Sequence, residues 1–171
     1  MAKITTSLVL AVALVATAGC AKKRPPELPP TPGETTTTQP NYGGDNDQYG
    51  SNALNEQFKR EVASDTVHFA LDEYDIDPEA RRILDTQATW LASHPETRIT
   101  IEGHCDERGT REYNLGLGDR RANAAKNYLA ARGVSPARIT TISYGKERPI
   151  AMGSDEGAWA QNRRAVTIVL N

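Results

Sequence analysis

From Ala63 to Asn171 the apolar residues switch repeatedly between a period of two and a period near 3.6, and capping or turn residues mark the switches. "DTVHFAL" sets Val67, Phe69 and Leu71 on one side of an expected strand. Asp77 then supplies an N-cap and Pro78 a first helical residue. The helix so opened presents Ala80, Ile83, Leu84, Gln87, Ala88 and Leu91 on one face and stops at His94 and Pro95. "RITIEG" alternates Ile99 and Ile101 inward with Arg98, Thr100 and Glu102 outward, which is a strand pattern. A second long helix is expected from about Thr110 to Arg132, burying Leu115, Ala122, Ala125 and Leu129 and ending at Gly133. "RITTISYG", a loop with Pro149, a short helix around Glu156 to Gln161 and the terminal strand "AVTIVL" complete the order β-α-β-α-β-(α)-β. Helices that follow strands through short connections imply an α+β domain, a small mixed β-sheet with two main helices packed on one face.

The first third of the chain has a different composition. Met1 to Lys3 carries one positive side chain, and "SLVLAVALVATAGC" is an uncharged apolar run ending in small residues, the layout of an exported leader. Sixteen residues separate Lys3 from Cys20, fewer than the about 20 that a membrane-crossing helix needs. A cleaved signal peptide over residues 1–19 is therefore expected. "TAGC" resembles the lipobox of bacterial lipoproteins, with Ala18 and Gly19 matching and Thr17 standing where Leu is more usual. That resemblance makes Cys20 an acylated N-terminus. Several acyl chains on one residue give lasting anchorage, since each buried methylene contributes about 0.8 kcal/mol. Ala21, where an inner-membrane protein would carry Asp, implies passage to the outer membrane.

Six of the ten prolines fall between Ala21 and Tyr49, among "TTTT" and "NYGGDNDQYGSN", so residues 21–53 have almost nothing apolar to bury and read as a disordered tether. Such a segment spans roughly 100 Å at most, at about 3.3 Å per residue. Residues 54–171 are the length of one compact domain. The formal net charge of −2 argues against a nucleic-acid partner, which would call for a basic stripe. With Cys20 acylated, Cys105 has no disulfide partner.

One stretch, "GHCDERGTREYN" at residues 103–114, concentrates groups capable of chemistry just after a strand. Continued strand parity points Cys105 inward with Ile99 and Ile101, where a free thiol behaves as a small hydrophobe. A zinc site would need more ligands than His104, Cys105 and Asp106, and His68 and His94 lie on other elements. A Cys-His nucleophile is disfavoured because adjacent strand residues point to opposite faces. "GLG" at residues 116–118 falls inside the expected helix and does not follow a strand, so it is no phosphate loop. What remains is charge. Asn114, Leu117 and Arg121 share one helical stripe at i, i+3 and i+7. Asp106 at a strand end facing Arg121 on that stripe would either take the two ends of a zwitterion or form a structural salt bridge.

"VHFALDEYDI", "IEGHCDERGTREYNLGLGDRRANAAKNYL", "ISYGKERPI" and "NRRAV" together resemble the C-terminal peptidoglycan-binding domain shared by outer membrane protein A and its relatives, over Thr66 to Val169. The likeness is closest to the lipid-anchored members of that family in Gram-negative bacteria. It implies that Asp106 and Arg121 hold the meso-diaminopimelate of a cell-wall stem peptide. By motif position it adds Asn114, Phe69 and Asp72, with Asn162 and Arg163 at the edge of the site. Leu117 joins them from the shared stripe. Cys105 stands where Thr or Ala is usual, and Ala70 where Asp or Gly is frequent.

The same resemblance implies a binding protein with no catalytic residue, metal or cofactor. It would attach the outer membrane to the wall in the Tol system, whose periplasmic β-propeller protein is the implied second partner, and support envelope integrity and cell division. The alternative is a lipoprotein of the same domain family with a wall-binding role outside that system. A wall hydrolase would need a catalytic acid or metal aimed at a scissile bond. A motor stator would need an N-terminal membrane helix bearing an ionisable residue.

Overall fold

The computed structural model describes residues 53–170. The leader, Cys20 and residues 21–52 of the expected tether lie outside the described residues. The element order is α1 (Ala53–Glu61), β1 (Thr66–His68), α2 (Pro78–Ser93), β2 (Arg98–His104), α3 (Arg111–Ala131), a 3₁₀ turn (Pro136–Arg138), β3 (Ile139–Gly145), α4 (Glu156–Asn162) and β4 (Arg164–Leu170). The strands form a four-stranded sheet in the order β1-β4-β2-β3. β2 and β3 run parallel, which requires the long crossover that α3 supplies. β4 pairs antiparallel with both β1 and β2. This is the mixed sheet expected above.

The caps fall where the side chains predict them. Asp77 accepts from the Ala80 amide at 2.7 Å and Thr110 from the Tyr113 amide at 3.2 Å, each satisfying a donor that the first helical turn leaves open. α3 ends as Gly133 takes φ +94° and the Val134 amide bonds back to the Leu129 carbonyl at 3.1 Å.

One face of the sheet presents Val67, Ile99, Ile101, Ile139, Ala165 and Val169 to Leu84, Leu91, Ala122, Ala125 and Leu129 of the two main helices, all buried. Fully burying one large aliphatic side chain contributes about 1.5–3 kcal/mol, so this interface carries the domain. Gln87 enters it without loss because its amide donates to the Ser64 carbonyl at 2.8 Å and accepts from the Thr167 hydroxyl at 2.8 Å. Gly103 of β2 and Gly118 of α3 let helix and strand approach closely. A Cβ on Gly103 would lie 1.8 Å from the Gly118 carbonyl oxygen. That contact sets the first turns of α3 beside the end of β2.

Two expectations are corrected. Leu71 does not continue the β1 pattern: β1 ends at His68, and Asp72 takes a left-handed φ of +61° in a turn closed by the Glu73 amide and the Ala70 carbonyl, leaving Leu71 57% exposed. Leu115 is half-buried, while Ala122, Ala125 and Leu129 supply the core face of α3. One element, α1, is one that the sequence pattern did not announce. It covers the part of β4 that short β1 leaves unpaired. Asn55 accepts from the Val169 amide at 2.9 Å, and Phe58 packs edge-on against Trp90 at 5.0 Å.

Candidate functional site

A cleft of about 270 Å³ opens where the β2–α3 loop, the first turns of α3 and the turn after β1 meet. Leu71, Asp72, Cys105, Asp106, Asn114 and Arg121 line it, together with Arg108, Tyr113 and Leu117. Five of the candidate residues, Asp72, Asp106, Asn114, Leu117 and Arg121, are thus brought together. Charges of both signs reach it from three separate elements.

The loop that carries Asp106 is built around Asn114, whose amide donates to the carbonyls of Arg108 at 2.6 Å and Thr110 at 3.0 Å. Lys146, just past the end of β3, reinforces the same loop by donating to the carbonyls of Glu107 at 3.0 Å and Gly109 at 2.7 Å. Arg108 lies over the Trp159 ring at 3.9 Å, a cation–π contact that fixes a side chain of many rotamers.

The two charged residues singled out in the sequence do not pair with each other. Asp106 Oδ1 accepts from the Arg108 amide and Nε, both at 3.1 Å, and Oδ2 from Arg108 Nη2 at 2.6 Å. Arg163 Nη1 stands 3.6 Å from Oδ2. Burial pushes the Asp106 carboxyl up, but the hydrogen bonds and charge of Arg108, aided by Arg163, outweigh it and hold the carboxyl below its usual value. Asp106 is therefore ionised at neutral pH.

Arg121 is fully buried. Its Nε donates to the Glu73 carbonyl at 2.8 Å, Nη1 to the His104 carbonyl at 2.9 Å and Nη2 to the Ala70 carbonyl at 3.1 Å. A guanidinium has five N–H donors, so these three bonds leave two. Burial lowers the Arg121 pKa, opposed by Cys105 and Asp106; an arginine remains a cation all the same. The structural salt bridge is replaced by a strut: Arg121 ties the turn after β1 to the end of β2 and still presents charge to the cleft.

Cys105 is 3% exposed, and its Sγ donates to the Asn114 carbonyl at 3.3 Å. Burial pushes its thiol pKa up, with Arg121 pulling the other way. A buried protonated thiol is a poor nucleophile, and the inward reading of Cys105 holds.

Phe69 is not among the residues lining the cleft; it is buried, and its ring lies 5.2 Å from the Arg121 guanidinium, a cation–π contact that helps hold that side chain. Asn162 is displaced as well. It brackets the 150–151 turn, accepting from the amides of Ile150 at 2.8 Å and Ala151 at 3.2 Å and donating to the Ala151 carbonyl at 2.8 Å. Arg163 does reach the site through Asp106, with its Nε on the Phe69 carbonyl at 3.0 Å and Nη2 on Glu156 at 2.6 Å. Sequence reasoning passed over Arg108 and Tyr113. Arg108 was legible as the cation two residues beyond Asp106. Tyr113 was not: its hydroxyl donates to Asp72, 41 residues away, across the cleft mouth.

The model of the OmpA family matches residues 68–163. The chain belongs to the OmpA family. Among OmpA-family relatives, the peptidoglycan-associated lipoprotein of Agrobacterium fabrum is 44% identical over 166 residues, covering 95% of this chain and 85% of that protein. The peptidoglycan-associated lipoprotein of Pseudomonas aeruginosa is 44% identical over 170 residues, 96% of each chain. That of Rhizobium meliloti is 56% identical over 105 residues, and there the match spans 61% of this chain and 60% of the relative. Among solved structures, the peptidoglycan-associated lipoprotein from Burkholderia pseudomallei aligns with a TM-score of 0.62 at 44% identity, covering 63% of this chain and 92% of that one. The OmpA-family fold also recurs in the C-terminal domain of Helicobacter pylori MotB, at a TM-score of 0.59 and 21% identity over 63% of this chain and 84% of that one.

Proposed function

We propose that this protein binds peptidoglycan without turning it over, and that the cleft holds the side chain of meso-diaminopimelate in a stem peptide. One observation carries the reading: the cleft gathers Asp72 and Asp106 with Arg108 and Arg121, a lining matched to a ligand that carries an ammonium and a carboxylate on one carbon. The ammonium sits against Asp106, whose two oxygens offer about four lone-pair sites, of which three are used. The carboxylate takes the N–H groups that Arg121 has left, with Arg108 at the rim. The names of the relatives support the same class of ligand.

Hydrolysis is disfavoured by electrostatics. A general acid needs its carboxyl raised toward neutrality, whereas Asp106 is lowered. Around this site the sequence adds the rest of a linkage: acyl chains on Cys20 in the outer membrane, residues 21–53 as the connection, and the folded domain on the wall. The resemblance to peptidoglycan-associated lipoproteins adds the periplasmic β-propeller protein of the Tol system as a partner competing for the wall-binding face.

Lysine-type stem peptides test the cleft. They keep the amine and lack the distal carboxylate, so Arg121 would lose its acceptor. A hydrogen bond to a charged group contributes roughly 1.5–3 kcal/mol, which converts to a preference on the order of 10- to 150-fold for the diaminopimelate form. Calorimetric titration of both muropeptides measures it, and equal affinities would refute the assignment.

A further inference from the structure

A second cleft, of about 410 Å³, lies beside the first, between the turn after β1 and the outer face of α3. Tyr74, Asp75, Asp119, Arg120, Asn123 and Asn127 line it. Asp119, Asn123 and Asn127 follow one another at i, i+4 and i+8, so they form a polar stripe along the helix. Tyr74 is 45% exposed, an unusual setting for a large ring. The Arg120 guanidinium lies 5.6 Å from that ring and steadies it from one side. Asn123 donates its amide to the Asp119 carbonyl at 2.9 Å, and its own carbonyl oxygen adds an acceptor to the lining.

We propose that this second cleft is a subsite for an N-acetylated amino-sugar unit of the glycan strand. The inference rests on the stem-peptide reading of the first cleft and extends it. The lining selects the chemistry. Two carboxylates, Asp75 and Asp119, face one guanidinium, so the cleft repels a second anionic group. Hydroxyls and acetamido groups instead match a set of carboxylate acceptors and carboxamides that both donate and accept. A half-exposed aromatic ring offers its face to the C–H surface of a pyranose, an amphipathic partner of the kind Tyr suits.

Distance supports the same occupant. The clefts share the turn after β1, with Leu71 and Asp72 in the first and Tyr74 and Asp75 in the second. On α3 the first runs from Tyr113 to Arg121 and the second from Asp119 to Asn127, an offset of six residues. Six residues of helix rise about 9 Å. In a stem peptide the diaminopimelate is the third residue, so two residues and an ether-linked lactyl group separate it from the sugar. Two extended residues reach about 7 Å, and the lactyl group covers the remainder. A ligand seated in the first cleft thus has the reach to bring its sugar to the second.

The test uses the full-length protein in detergent micelles and two ligands, a free diaminopimelate tripeptide and the same tripeptide on its N-acetylglucosamine–N-acetylmuramic acid disaccharide. Calorimetry should give about tenfold tighter binding for the disaccharide form, or about 1.4 kcal/mol. Tyr74→Ala and Asn127→Ala should each lower that advantage with the tripeptide affinity unchanged, and Tyr74→Phe should retain it. Equal affinities of the two ligands for the parent protein would overturn the subsite, as would an advantage that persists in both alanine variants. The stem-peptide reading fails separately, by absence of binding to the free tripeptide. In that case the sugar subsite is decided by whether the disaccharide alone shifts the Asn127 side-chain amide resonances, and unmoved resonances would reject it.

Discussion

Arg121 should matter to the fold as well as to the ligand, and two substitutions separate the contributions. Arg121→Met keeps most of the buried stem and removes all three bonds to the carbonyls of Glu73, His104 and Ala70. Ala70 and Glu73 lie at exposed positions where water can replace the guanidinium; His104 is buried, and its carbonyl would lose this partner. One buried unsatisfied acceptor costs about 1–3 kcal/mol, partly offset because the cation's own burial penalty disappears with it. Arg121→Ala adds a cavity beside Phe69 and Leu117, and truncating a large buried side chain costs about 2–5 kcal/mol. The expected losses are about 1–2 kcal/mol for the methionine variant and about 3–5 for the alanine variant. With a urea slope of about 2 kcal/mol per molar, the midpoints should fall by about 0.5–1 M and about 1.5–2.5 M. Equilibrium urea unfolding followed by tryptophan fluorescence measures both. A methionine variant as stable as the parent would refute the strut and leave Arg121 to the ligand alone.

Gly103→Ala should destabilise the domain by about 3 kcal/mol or more and lower its melting temperature, because the new Cβ meets the Gly118 backbone and not a movable side-chain end; a variant melting within a degree of the parent would contradict the close approach. Asp106 should leave a mark on the pH profile. Its folded pKa is depressed, so its contribution to stability is complete above the ordinary Asp value of about 3.9 and is lost as pH falls below that and through the folded pKa. Thermal melts of the parent and of Asp106→Asn should therefore converge in acid and separate above about pH 4, and parallel curves would show that Arg108 and Arg163 do not hold the carboxylate.

Much of this architecture was legible because its signals are local. Asp77 before Pro78 and Thr110 before the "REYN" run announce helices through caps that act within four residues, and Ile99 and Ile101 announce a strand through simple alternation. Asp106 and Arg121 were legible as members of one site for a similar reason, since a strand end and a helical stripe fix where side chains emanate. Their partners were not. Whether Asp106 meets Arg121 or Arg108 depends on side-chain direction across a loop, and the depressed pKa of Asp106 follows from that choice. α1 escaped notice because its nine residues carry just two large apolar side chains, Leu54 and Phe58, too few to extend into a readable pattern. Gly103 and Gly118 each look like a weak point in its own element, and only the contact between them explains both.

The seating of α1 on β4 bears on how the domain takes mechanical load. A pull delivered at Ala53 enters through a short helix whose Phe58 is buried in the core and whose Asn55 accepts from the Val169 amide, 114 residues away. Behind it lies β4, laced antiparallel on both sides to β1 and β2, and β2 runs directly into the loop that carries Asp106. Tension between the start of the domain and a ligand gripped in the cleft therefore passes across the sheet through many hydrogen bonds acting together. The helix is the weaker member in that series. Under rising force α1 should detach first and lengthen the connection by a few nanometres while the sheet and cleft stay closed, a yielding spring ahead of a rigid grip.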